Sequence, residues 1–188
     1  MAGRLVELSG NRAAANLTVA FGLVLEAQER GEPAAWVTLR QSTFFPPDAA
    51  ESGVSLAHLA VVRVAEPRDA MRATIELTRG NGFGLVVLDL GPEAIRERLV
   101  REKRTRRKLS TPLLTKLVGL ARKNGTAVVV LTEKTERSSS LSSLVSLRAE
   151  VRRDQTTPGN VEITILKDKR RGPGRLHREV CRVPAGLR

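Results

Sequence analysis

The sequence predicts an α/β fold: a mostly parallel sheet flanked by helices, with antiparallel strands at the C-terminal end. Three observations carry that prediction. Residues 4–39 hold an apolar strand, a helix and a second apolar strand in succession, the spacing of a βαβ unit with its right-handed crossover. Segments 83–90 and 126–131 are apolar at nearly every position, as strands buried on both faces are. The last third alternates instead. Val145, Leu147, Ala149 and Val151 interleave with Ser146, Arg148, Glu150 and Arg152, and Val161, Ile163 and Ile165 with Glu162, Thr164 and Leu166, the period of a half-covered antiparallel sheet.

Each element has its own local signals. Arg4 to Leu8 reads as a short strand, followed by the turn residues Ser9, Gly10 and Asn11. A helix from Ala14 to Arg30 sets Leu17, Phe21, Val24, Leu25 and Gln28 on one face and stops at Gly31 and Pro33. Ala34 to Leu39 is the second strand. Pro46 and Pro47 end the extended segment, and Asp48 is positioned to cap a short helix toward Ser52. Leu59 to Ala65 is a strand, and Glu66 and Pro67 open a helix whose Ala70, Ala73, Ile75 and Leu77 face the sheet before Asn81 and Gly82 end it. Ser110 or Thr111 caps the next helix, with Pro112 in its first turn, Leu113, Leu114, Leu117 and Leu120 inside, and Asn124 and Gly125 as its stop. Turns at 157–160 and 172–174 separate the strands of the tail.

Composition bounds the function classes. At 188 residues, the chain reads as a single domain spanning 1–188, with segment 93–109 as a projecting helix or loop and about 183–188 as a flexible tail. Hydrophobic residues make up 41% but aromatics only 3%, so the core rests on Val, Leu, Ala and Ile. One cysteine, Cys181, excludes an internal disulfide, and two distant histidines, His58 and His177, argue against a metal site. Without an apolar run of membrane length or a secretion signal, the expected location is cytoplasmic, with no membrane partner. The net charge of +12 is unevenly spread: residues 1–90 carry 8 Lys/Arg against 10 Asp/Glu, residues 91–188 carry 24 against 10. Nucleic acid is the first candidate partner for such a half, and an acidic protein surface the second.

The first strand, loop and helix have the layout of a phosphate-binding P-loop. If Gly10 is the first glycine of G-x-x-x-x-G-K-[ST], the second glycine falls on Ala15, the lysine on Asn16 and the Mg²⁺-ligating hydroxyl on Leu17. The spacing of a nucleotide site is present and its chemistry is replaced. Only a one-residue shift of the loop would bring in a hydroxyl, that of Thr18. The most apolar strand ends in Asp89, a Walker B position. With no lysine in the loop, Asp89 reads more simply as an acid capping a turn or pairing with Arg12 or Arg40.

The order of these parts resembles the RecA-like ATPase core over nearly the whole chain: the Gly10 frame, Trp36-Val37, the 52–59 motif SGVSLAHL, the strand ending at Asp89, 127–133 (AVVVLTE), the strand Leu147 to Arg153, and 165–169 (ILKDK). More narrowly, 3–10 (GRLVELSG), 30–37 (RGEPAAWV), 82–90 (GFGLVVLDL) and 170–174 (RRGPG) resemble the ImuA family, RecA-like accessory proteins of bacterial SOS mutagenesis cassettes. That resemblance implies work in damage-induced mutagenesis and translesion synthesis. The implied partners are RecA and ImuB, a catalytically inactive Y-family polymerase relative, acting alongside an error-prone replicative-type polymerase. Aligned with RecA, Arg40 replaces the catalytic glutamate and Glu133 the γ-phosphate-sensing glutamine, so the expectation is a non-enzyme without a cofactor. Lys167 and Lys169 match RecA positions that reach a neighbouring subunit's nucleotide. Here an acidic protein contact or plain solvation is the expectation for them, as for Arg170 and Arg171.

In RecA one DNA-binding loop follows the Walker B strand and a second follows the strand that ends here at Leu131. This chain fills the first with Arg96, Arg98, Arg101, Lys103, Arg104, Arg106, Arg107 and Lys108 and reduces the second to 133–141. Segment 96–108 lacks aromatic residues for base stacking, which leaves three readings open: phosphate contact, docking on an acidic partner, or a solvated basic face. The chain starts at the P-loop strand, so self-polymerisation is not expected and a monomer or small oligomer is. Two other functions stand beside the ImuA-like one: a cell-division inhibitor like SulA that binds FtsZ, and a basic DNA-binding RecA paralogue.

Overall fold

The computed structural model describes residues 1–10, 13–42, 44–91, 111–154, 156–157 and 159–181. The elements run β1 (Leu5–Gly10), α1 (Ala13–Glu29), β2 (Ala34–Leu39), α2 (Pro46–Glu51), a 3-10 turn (Leu56–His58), β3 (Leu59–Val64), α3 (Pro67–Arg79), β4 (Leu85–Asp89), α4 (Thr111–Asn124), β5 (Ala127–Glu133), β6 (Leu147–Arg153), β7 (Asn160–Asp168) and β8 (Leu176–Val180). Among the described residues the strands form one eight-stranded sheet in the order β3-β2-β4-β5-β1-β6-β7-β8. From β3 through β6 all pairings are parallel, and β6–β7–β8 continue antiparallel, as the alternating tail predicts.

The sheet separates two apolar layers. Val6, Leu8, Trp36, Val87, Val129, Leu131, Ala149 and Val151 face α1. Leu5, Ala35, Val37, Val86, Leu88, Val128 and Val130 face α3 and α4. This two-sided cover is why β4 and β5 are apolar at nearly every position. With few aromatics available, three of them meet in one place. Phe21 of α1, Trp36 of β2 and Phe44 cluster with centroids 4.9–6.1 Å apart, in tilted and edge-to-face contacts beneath the α1 face.

Several local expectations change. Asp48 lies in the first turn of α2 and makes no capping bond from its side chain; Phe45 is the N-cap residue and Ser52 the C-cap. The buried stripe of α3 is Ala70, Met71, Thr74, Ile75 and Thr78, with Ala73 and Leu77 only half-buried. The two threonines are tolerated there because each hydroxyl donates to the carbonyl one turn earlier, Ala70 and Thr74 respectively. That helix stops at Gly80, just before Asn81, whose φ of 55° takes the chain out of the helix. The expected projecting segment 93–109 and tail 183–188 lie outside the described residues. No helix among the described residues is long and apolar enough to cross a membrane.

Candidate functional site at the carboxyl ends of the strands

In a parallel α/β sheet the ligand crevice lies at the carboxyl ends of the strands. Here that edge collects Gly10, Arg40, Asp89, Glu133 and Arg153, together with the first turns of α1. Gly10 is required by space: a Cβ there would lie 2.6 Å from the Val151 carbonyl oxygen of β6 and 3.0 Å from Asn16 Oδ1. In the first turns of α1, Ala15, Asn16, Leu17 and Thr18 are all buried, none more than 6% exposed. Asn16 Nδ2 donates to the Thr132 carbonyl of β5 at 3.1 Å, so the amide is turned into the sheet end. Its Oδ1 is buried without a hydrogen-bond partner among the described residues. Leu17 sits in the α1-side core, and the Thr18 hydroxyl accepts from Arg153 Nη2 at 2.8 Å.

Asp89 is 3% exposed. Its Oδ1 accepts the Gly91 N–H at 3.0 Å and its Oδ2 the Thr38 hydroxyl at 3.2 Å, with Ser42 Oγ hydrogen-bonded to the same Thr38 oxygen. Burial pushes this carboxyl up; the Gly91 N–H, the Thr38 hydroxyl and the nearby Trp36 indole oppose the rise. The Gly91 N–H contact is a turn-capping one; Arg12, the other partner expected for Asp89 beside Arg40, lies outside the described residues. Arg40 is exposed, its backbone N–H bonded to Val64, and Glu133 is half-buried opposite Gly10 in the β1–β5 register. Among the described residues no group of three His, Cys, Asp or Glu side chains is arranged to hold a metal ion. A cavity of about 460 Å³ lies at the opposite edge of the sheet, around Arg30, Glu32, Phe83 and Asn124, away from these groups.

Comparisons with known proteins agree on the architecture. No protein-family model matches the chain. It is 27% identical over 193 aligned positions to Protein RecA of Caulobacter vibrioides, covering 89% of this chain and 54% of that protein. It is 24% identical to Protein RecA of Rhodospirillum rubrum, with 89% and 52% covered. The chain thus spans about half the length of the curated relatives it matches. The crystal structure of the RadB recombinase superposes with a TM-score of 0.68 at 18% identity, over 94% of this chain and 86% of that one. The fold is RecA-like.

Within this RecA-like core, the segment after β5 rests on a buried polar layer that the sequence alone did not single out. Glu7, fully buried in β1, accepts from Lys134 Nζ (3.0 Å), the Thr132 hydroxyl (3.0 Å) and the Leu141 N–H (2.8 Å). Arg148, 3% exposed in β6, donates to Ser9 Oγ (3.1 Å), the Thr135 carbonyl (2.8 Å) and the Ser138 carbonyl. Loop 134–146 is therefore tied to the sheet by charged groups of β1 and β6.

Lys167, expected at a partner contact or in solvent, is half-buried on the same layer. Its Nζ donates to the Ser143 carbonyl at 3.4 Å, and burial, then Lys169, hold its pKa down while Glu7 opposes them. Beside it, Asp168 accepts from the Arg170 N–H (2.9 Å), Arg4 Nη2 (2.6 Å) and Arg175 Nη2 (2.6 Å), contacts that hold its carboxyl well below the usual carboxylate range. Lys169, Arg170 and Arg171 are exposed together at the β7–β8 turn. The basic residues 96–108 lie outside the described residues. A sequence signal for the buried layer did exist: Glu7 and Ser9 on β1, and Arg148 and Glu150 on β6, fall on the same side of adjacent strands, and a polar stripe inside a sheet needs a loop to satisfy it.

Proposed function

We propose that this chain is a non-catalytic RecA-like accessory protein of SOS-induced mutagenesis and translesion synthesis, working as ImuA-family proteins are expected to, by binding RecA and ImuB and modulating RecA filaments. The observation that carries the non-catalytic part is the placement of Asn16 and Leu17. The residue at the P-loop lysine position spends its side-chain N–H on a β5 carbonyl, and the residue at the metal-ligating position is core. A phosphoryl-transfer site needs charge neutralisation and a metal ligand at those two places. The sequence relation to RecA supports a role beside RecA, since RecA-fold surfaces that pair protomers can be reused for a heterologous contact.

The test is to add the purified chain to RecA assembled on single-stranded DNA and follow RecA's ATP hydrolysis, alongside labelled-ATP binding by the chain alone with Mg²⁺. A changed RecA rate and no binding by the chain support the proposal; hydrolysis or ATP-dependent filaments of the chain alone overturn it. The charge excess after residue 90 favours a second reading, DNA binding through residues 96–108. Affinity for DNA that does not fall between low and moderate salt rules out phosphate contact. Capture of FtsZ in place of RecA would favour the SulA-like alternative.

A further inference from the structure

Among the described residues the sheet ends at β8, a strand exposed at all five positions, with Leu176 52% and Val180 86% exposed. Free sheet edges are ordinarily blunted by proline, bulges or unpaired charge. Strand β8 has no proline or glycine, its pairing with β7 is continuous, and its central Arg178 is neutralised by Glu162 of β7 (Nε to Oε1, 2.9 Å).

The direction of its backbone groups follows from the ladder. The Cys181 N–H donates to the Gly159 carbonyl and the Ile165 N–H to the Arg175 carbonyl, each at 2.8 Å. In an antiparallel pair the bonded positions alternate, so residues 175, 177, 179 and 181 are bonded to β7. The N–H and C=O groups of Leu176, Arg178 and Val180 point outward.

We propose that β8 is a dimerisation strand that pairs antiparallel with β8 of a second copy of this chain, about a two-fold axis at Arg178. The order Leu-His-Arg-Glu-Val is self-complementary in that register. Leu176 lies opposite Val180 of the second copy, and His177 lies opposite Glu179. The only like-charge pair, Arg178 with Arg178, consists of guanidinium groups that each already have a carboxylate partner. An isologous contact needs one patch to match itself in this way. The outward groups of 176, 178 and 180 then supply roughly six interstrand hydrogen bonds, and the two sheets become one.

The experiment uses the full chain and measures mass in solution by sedimentation, at concentrations up to roughly 100 µM, because a contact of one short strand per copy belongs to the small interfaces. Three variants are compared with it. Arg178→Pro removes an outward N–H and leaves the β7 ladder intact, which an edge strand tolerates. His177→Glu sets glutamates opposite each other, and Glu179→Lys sets lysine opposite histidine. The expected results, with circular dichroism unchanged throughout, are a dimer for the natural chain, monomers for Arg178→Pro and for His177→Glu, and a weakened dimer for Glu179→Lys, which loses the carboxylate facing His177. Mixing His177→Glu with Glu179→Lys is expected to restore the dimer, because the introduced glutamate of one copy then faces the introduced lysine of the other. A natural chain that stays monomeric, a dimer indifferent to Arg178→Pro, or a mixture that stays monomeric overturns the proposal.

Discussion

Replacing Glu7 by alanine tests whether the buried polar layer holds loop 134–146. The carboxylate is fully buried and collects three donors, so its loss leaves the Leu141 N–H without its acceptor and Lys134 without its counter-ion. Breaking a buried charge pair from one side costs about 3–5 kcal/mol. The lower end applies here: the Lys134 side chain is 18% exposed and can return to water, and the Thr132 hydroxyl has the Leu8 carbonyl at 3.4 Å as a second acceptor. The expected loss is about 3 kcal/mol, or roughly 6–12 °C in Tm for a chain of this size. Urea unfolding measures it directly, with Trp36, the single tryptophan and fully buried, as the fluorescent reporter. Trypsin cleavage after the exposed Arg137 reports the loop itself and is expected to accelerate. Glu7→Gln, which keeps an acceptor for Leu141, falls between the two. A loss below about 1 kcal/mol with unchanged cleavage refutes the view that the carboxylate anchors the loop.

Three further outcomes are expected. Gly10→Ala forces a Cβ against the backbone of β6 at 2.6 Å and costs about 1–3 kcal/mol by thermal unfolding, an overpacking penalty with no flexible neighbour to absorb it. Asp168 has a folded pKa below its unfolded value. Its stabilisation is therefore complete above the ordinary carboxylate range and is lost as pH falls below about 4; Asp168→Asn should be less stable at pH 7 and flatter in urea midpoint between about pH 5 and 2. Asp89 has the opposite sign: with its folded pKa raised, its charge weighs against folding as pH rises. Asp89→Asn should keep or raise the midpoint at pH 7, and a marked drop would reveal a charge partner for the carboxylate.

The fold was legible where burial is two-sided. Strands β4 and β5 announce themselves because their runs are almost wholly apolar, and β6 and β7 through their alternation, although β6 turns out to be covered on both faces, with Arg148 and Glu150 buried as well as Ala149 and Val151. The face of α3 was less legible, since Thr74 and Thr78 look polar in sequence and are buried only because each hydroxyl folds back on its own helix. The P-loop frame falls on the β1–α1 connection, with Asn16 and Leu17 in the first turns of α1 and Asp89 at the end of β4. What sequence could not show was where those side chains turn. Nor could it show that Glu7 and Arg148, two members of the polar stripe on β1 and β6, both serve the loop between β5 and β6.

The position of β1 bears on how the chain is made. It is synthesised well before both of its neighbours, since Val6 pairs with Val129 on one side and Leu147 on the other. Until β5 and β6 leave the ribosome, β2, β3 and β4 can associate among themselves while β1 and the buried Glu7 have no sheet to enter. Closure then depends on contacts of very long sequence separation, which are the slow ones to form. A truncation before β5 is expected to leave an apolar strand without partners, prone to aggregate as incompletely folded α/β chains are.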